Sequence, residues 1–139
     1  MATYTSSKAV SGVQPKGLTV GLVAVTSTYT TVASAAAGDI IQMVKVPKGA
    51  TPVHVNLTGA PADGHIVVKV GDGVSTGRYI TGGTLSIAGV GNSLFINTEY
   101  VPYTYSVDDT IDIKLSVLSI SATAIGTVYN LIAIFSMDT

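Results

Sequence analysis

An all-β sandwich, a jelly roll ahead of a Greek-key immunoglobulin-like arrangement, is the fold this sequence predicts, and three observations carry the prediction. No apolar pattern with a helical period persists for a useful length. About eight short extended segments, rich in Val, Ile, Thr and Tyr, follow one another at regular spacing. Each is separated from the next by turn chemistry drawn from Gly, Pro, Asp and Asn.

Taken in order, residues 1–17 carry Thr, Ser and Lys with Gly12, Pro15 and Gly17 and show neither period. They read as an extended arm preceding a sandwich domain over residues 18–139, and an arm of this kind can lie along a neighbouring subunit with Tyr4 and Val10 as anchors. Leu18 to Thr31 is strand, broken near Ser27, because β-branched Val and Thr suit a pleated surface and penalise a helix. Val32 to Ala37 is too short to nucleate a stable helix before Gly38 and reads as a loop with one helical turn.

The next strand organises the chain. It begins after Gly38-Asp39 and stops at Pro47 and Gly49, since proline lacks the N–H that a ladder needs. Strict alternation points Ile40, Val44 and Val46 one way and Ile41 and Met43 the other, so both faces expect cover. One cover is the second layer of the sandwich and the other a partner molecule, which makes Ile41 and Met43 candidate interface residues. Val53, Val55 and Leu57 then alternate with His54, Asn56 and Thr58, and Ile66, Val68 and Val70 face in beside His65, Val67 and Lys69.

Gly71-Asp72-Gly73 is a tight turn, and Arg78-Tyr79-Ile80 resumes extended structure. Residues 81–93 are glycine-punctuated and read as a long surface excursion with weak strand character. Val101, Tyr103 and Tyr105 alternate around Pro102, which places that piece at a sheet edge or its start. After the Asp108-Asp109 turn, Ile111, Ile113, Leu115 and Val117 oppose Asp112, Lys114 and Ser116 until the phase slips at Leu118, where a bulge or the end of pairing is expected. Gly126 resets the chain, and Val128 to Phe135 is apolar at both parities, as in a central strand or one with a face in an interface.

Composition narrows the functions. A length of 139 residues is one domain, able to bury about two thirds of its unfolded surface. Charged residues make up 11% of the chain, against roughly 25% in ordinary domains, so electrostatics give little protection against self-association. The seven Lys and Arg are scattered singly at a net charge of −1, which offers no stripe for phosphates and excludes nucleic acid as the expected partner. With no cysteine there is no disulfide framework and no thiolate site. The first residues lack the apolar stretch of a secretory signal, so synthesis and folding in a cytosol is the expectation. The longest apolar runs, Gly21 to Val25 and Leu131 to Phe135, are far short of a bilayer-crossing helix, so no membrane span is expected.

Reactive constellations are not evident. His54 and His65 sit among outward polar positions without the further ligands that zinc requires. Asp72, Asp108, Asp109 and Asp112 lack EF-hand spacing and suit local backbone bonding at turns. There is no Gly-x-Ser-x-Gly elbow, no phosphate loop after Gly73, and the single glutamate, Glu99, has no paired acid. No catalytic residue, cofactor or metal is therefore expected. Tyr100, Tyr103 and Tyr105 bring aromatic rings together, fit to stack on a sugar or to anchor an interface, or else to serve as core. Tyr100 and Tyr103 complete the candidate interface set.

The run Ala37 to Ala50, then Val70 to Gly73 with Arg78-Tyr79-Ile80, then Tyr103 to Asp112, resembles small structural proteins of tailed-bacteriophage heads, the decoration or cement proteins. The resemblance spans roughly residues 37–115 and rests on strand-and-turn punctuation, leaving the arm and the stretch 82–93 outside it. It implies a β-sandwich, often a jelly roll, that binds the outside of an assembled head at junctions of the major capsid protein. It also implies a homo-oligomer, with a trimer ahead of a dimer. The protein would be made in the bacterial host cytoplasm and carried on the virion surface. A carbohydrate-binding sandwich module, or a head-fibre or tail component, is the alternative.

Overall fold

The computed structural model describes residues 1–6, 9, 21–61, 64–86, 93–118 and 125–137. Its strands in chain order are β1 (Thr3–Thr5), β2 (Gly21–Thr30), β3 (Ile40–Val46), β4 (Ala50–Ala60), β5 (His65–Gly71), β6 (Ile80–Ser86), β7 (Ser93–Phe95), β8 (Asp109–Leu118) and β9 (Val128–Met137). They form a five-stranded sheet in the order β1-β3-β8-β5-β6 and a four-stranded sheet in the order β2-β9-β4-β7. From β2 onward the chain changes sheet at every connection except β5 to β6. Facing sets β2-β9-β4-β7 and β3-β8-β5-β6 are the strand order of a jelly roll, so the sandwich has the first of the two expected topologies.

Alternation puts the core where the sequence expects it in β5 and β8, and β9 adds a third inward row. Ile66, Val68 and Val70 of β5, Ile111, Ile113 and Leu115 of β8, and Tyr129, Leu131, Ala133 and Phe135 of β9 are all buried between the sheets. Strand β9 lies between β2 and β4, and of its two apolar faces one is core while the other, with Ile132 39% exposed, is left open. The slip near the end of β8 is a register shift: Val68 pairs with Leu115 but Val67 with Val117, which leaves Ser116 as the extra residue of a bulge.

Two further bulges overturn expectations. In β3 the register jumps between Gln42, opposite Asp112, and Val44, opposite Ile111, which turns Met43 and Val44 both inward. Ile41, Met43, Val44 and Val46 are consequently all core, and Ile41 and Met43 are fully buried in their own chain rather than facing a partner. In β4 the register jumps between Pro52 and His54. A bulge tolerates the missing proline N–H, and it expels Val53, which is exposed where alternation had placed it inside.

The glycine-rich stretch read as an excursion contributes strand β6, paired with β5 from His65↔Ser86 to Val70↔Ile80. Gly83 of β6 serves close packing, since a Cβ there would lie 2.6 Å from a Leu94 methyl, and Gly59 of β4 makes room for Leu85 of β6, a Cβ there lying 2.5 Å from its methyl. By contrast Val101 to Tyr105 is loop, held where Gly49 N–H donates to the Tyr105 carbonyl at 2.7 Å and Tyr105 N–H to the Ala50 carbonyl at 3.0 Å. Gly49 takes φ +89°, which ends β3 at the predicted stop.

The first six residues of the arm lie on this chain's own sheet. β1 pairs in parallel with Ile40–Gln42, Ala2 N–H donates to Asp39 Oδ1 at 2.8 Å, and the Tyr4 hydroxyl donates to the Ser34 carbonyl at 3.1 Å. Burial alone would raise the Asp39 carboxyl, but bonds from Ala2 N–H, Ala36 N–H and the Tyr4 hydroxyl, with the nearby N-terminal charge, hold it below the usual carboxylate range. Val10, the second anchor, lies outside the described residues.

One buried group among the described residues lacks a partner, the Tyr129 hydroxyl. Deleting an unsatisfied buried hydroxyl removes a desolvation cost, so Tyr129→Phe should raise stability by about 1 kcal/mol, read as a higher urea midpoint at unchanged slope.

Candidate interaction surfaces

The two sheets turn chemically different faces to solvent. Strands β2, β4, β7 and β9 contain no Asp, Glu, Lys or Arg, so the outer face of the four-stranded sheet carries no fixed charge and only His54 as a titratable group. Register lines up its outward residues in rows: Ala24, Ile134 and His54 in one, then Thr26, Ile132, Asn56 and Phe95, then Thr28, Asn130, Thr58 and Ser93. Large apolar side chains stand open on it, with Leu22 65%, Phe95 61%, Val53 44% and Ile132 39% exposed. A water-facing sheet of this composition is unusual, since such faces are ordinarily polar and charged.

On the five-stranded sheet, Lys45, Lys69 and Lys114 occupy outward positions. Lys69 stands directly opposite Lys114 in the β5–β8 ladder. Like charges opposed across a ladder are unfavourable. The only ion pair among the described residues is elsewhere, between Arg78 and Asp72.

That pair is the centre of a buried polar knot behind the third candidate region. Asp72, 1% exposed, accepts from Val74 N–H at 3.0 Å, Ser75 N–H at 2.8 Å, Arg78 Nε and the Tyr105 hydroxyl at 2.9 Å. The Tyr105 and Tyr79 hydroxyls bond each other, and the Arg78 guanidinium lies 3.7 Å over the Tyr103 ring. Burial would raise the Asp72 carboxyl, yet the Arg78 bond, the loop N–H groups and the Tyr105 hydroxyl outweigh it and keep the group ionised, while burial pushes both hydroxyls of Tyr79 and Tyr105 up. Next to the knot is a cleft of about 560 Å³, lined by Arg78, Thr81, Asn97, Thr98, Glu99 and Tyr100 among others.

Of the candidate residues, Tyr100 is half-buried on this cleft, its hydroxyl donating to the Pro52 carbonyl at 2.8 Å and its ring tilted against Tyr79 at 5.4 Å. Tyr103 is half-buried with Arg78 over its ring, and Tyr4 is half-buried with its ring 6.4 Å from Tyr29. Tyr100 and Tyr103 meet, through the Tyr103 N–H bond to the Tyr100 hydroxyl at 3.1 Å, but Tyr4, Ile41 and Met43 do not join them in one surface. His54 and His65 lie on different sheets. Asp109 accepts from the neighbouring Thr110 N–H, the local turn bonding read from the sequence, whereas Asp108 accepts from Lys48 N–H, 60 residues away in the chain. Among the described residues no group of three or more His, Asp or Glu is placed to hold a metal. The uncharged sheet escaped residue-by-residue reading, although a count of charges strand by strand would have found it.

No protein-family model and no curated protein sequence matches the chain. Among solved structures, it superposes on a chain of the capsid of Ralstonia phage GP4 with a TM-score of 0.78 at 18% identity, over 99% of both chains. It also superposes on a chain of the cyanophage Pam1 capsid asymmetric unit, with a TM-score of 0.64 at 18% identity over 88% of this chain and 89% of that one. A chain of the acidic stable capsid of Helicobacter pylori bacteriophage KHP30 gives 0.60 at 14% identity, over 88% and 92%. The class that fold and comparisons define together is a single-domain all-β jelly roll of the kind found in phage capsid structures.

Proposed function

We propose that this protein is a non-enzymatic structural component of a tailed-phage virion, a decoration protein that binds the outer surface of the head and stabilises the shell of major capsid protein. The observation that carries the reading is the end-to-end likeness to a chain of the Ralstonia phage capsid, 99% of each chain. Physical support comes from the lysine-bearing sheet: Lys69 stands directly opposite Lys114, and a partner that offers carboxylates would relieve this like-charge pairing. Many copies with modest contacts on one shell add their effects through avidity against internal pressure.

The carbohydrate alternative has the Tyr100 and Glu99 cleft in its favour. Against it, Tyr79 and Tyr105 are buried and Arg78 covers the Tyr103 ring, so Tyr100 is the one aromatic of the group on the cleft wall.

The test is co-sedimentation with heads that lack the protein. At low salt the protein should pellet with them to a fixed ratio, and raising salt from about 50 mM to about 500 mM should weaken binding several-fold as lysine contacts are screened. Protein that stays in the supernatant at every salt concentration ends this reading.

A further inference from the structure

We propose that the outer face of the four-stranded sheet is a self-association surface, on which two copies of this chain stack face to face about a two-fold axis. The inference goes beyond head binding, because it concerns the protein in free solution.

The occupant follows from charge. Two identical faces brought together carry the same net charge, so a charged face opposes its own association. Here β2, β4, β7 and β9 contribute no Asp, Glu, Lys or Arg, so like can meet like without repulsion. The opposite sheet, with Lys45, Lys69 and Lys114, has no such licence. Apolar contact is supplied in a band crossing the sheet, from Leu22 on β2 through Ile132 and Ile134 on β9 to Val53 on β4 and Phe95 on β7. With an axis near Ile132, the Leu22 end of one copy's band covers the Phe95 end of the other's, and the intervening Thr and Asn side chains offer both donors and acceptors.

Area agrees. Three strands of about ten residues and a short fourth, at the usual strand spacing and rise, present roughly 500–600 Å² per copy. The pair therefore buries just over about 1,000 Å², the lower bound for a specific stable interface. A flat face stacked on its own copy closes at two, so the product is a dimer; the trimer that the sequence resemblance placed first does not arise from this surface.

The experiment is sedimentation velocity on the full chain from 1 to 100 μM. The wild type is expected to move from the 14.1 kDa monomer toward twice that mass across this range. Thr26→Lys, at an exposed outward position opposite Ile132, should raise the dissociation constant at least tenfold, since each dimer would then bury two unpaired ammonium groups. Phe95→Lys, on another strand of the same face, should do the same and guards against a folding defect in either variant. Thr84→Lys, on the opposite sheet, should leave association unchanged. A wild type that remains monomeric at 100 μM, a trimer, or a dimer that survives both Thr26→Lys and Phe95→Lys overturns the proposal. So does a monomer in which Thr26→Lys abolishes head binding, because the face then belongs to the shell. Head binding without dimers leaves the virion reading standing, and dimers without head binding leave this one.

Discussion

Asp72→Ala should lower stability by about 3–5 kcal/mol, the cost of leaving one partner of a buried pair behind. The Arg78 guanidinium would lose its counter-charge, and Val74 N–H, Ser75 N–H and the Tyr105 hydroxyl would lose their acceptor in the same step. Four bonds converge on this carboxylate from the turn after β5 and from the loop that carries Tyr105, so the substitution frees both segments together. Urea unfolding reads the loss directly. Tyr105→Phe provides the comparison, at about 1–2 kcal/mol, because Asp72 keeps its three other donors. An Asp72→Ala variant no weaker than Tyr105→Phe would show that the ion pair holds nothing. The carboxyl lies below its unfolded value, so its contribution is complete above that value and fades as pH falls through the folded one.

Asp112 should behave in the opposite sense. It is 7% exposed on β8, and burial first, then the charges of Asp109 and Asp72, push it up to about 7, with the bond from the Thr110 hydroxyl opposing. A carboxyl raised on folding binds more protons in the native than in the unfolded state between pH about 4 and about 7. Stability therefore falls as pH rises through that window and stays at its lower level above it. A rise of that size corresponds to at most about 4 kcal/mol. Asp112→Asn preserves the acceptor for Thr110 without the charge, so it should flatten the profile between about pH 5 and pH 8 and raise the melting temperature at pH 8 by roughly 5–10 °C. Profiles for the two proteins that run parallel across this range would refute the assignment.

How much of this was legible depends on what set each residue's direction. Period-two alternation placed the inward residues of β5 and β8 correctly because nothing interrupts those runs at the positions concerned. It failed at Met43 and Val53, where a single extra residue reverses the face of everything beyond it, and a bulge leaves no mark in composition apart from the hint of Pro52. The glycine-rich sequence of β6 reads as loop because the purpose of Gly83, room for Leu94, is visible only with the other sheet in place. Tyr100 and Tyr103 are close in sequence, though parity sets Tyr100 opposite Tyr103, and the guanidinium between Asp72 and the Tyr103 ring joins residues far apart in the chain. Residues 1–6 read as an arm because parallel pairing to β3 depends on Asp39 receiving Ala2, a contact between distant residues. The charge-free sheet was present in the letters from the start. It was diluted in the whole-chain average and emerges when the strands are sorted by sheet.

The positions of β8 and β9 set the order in which the molecule can come together. Each is the central partner of its layer, β8 joining β3 to β5 and β9 joining β2 to β4, yet each follows in the chain both of the strands it joins. Until they arrive, earlier strands have few mates beyond the β5–β6 hairpin, and their hydrocarbon-rich sides wait uncovered. Folding of this chain is therefore a late, concerted closure with a large loop-entropy barrier, and truncation before Val128 would leave a polypeptide prone to clump.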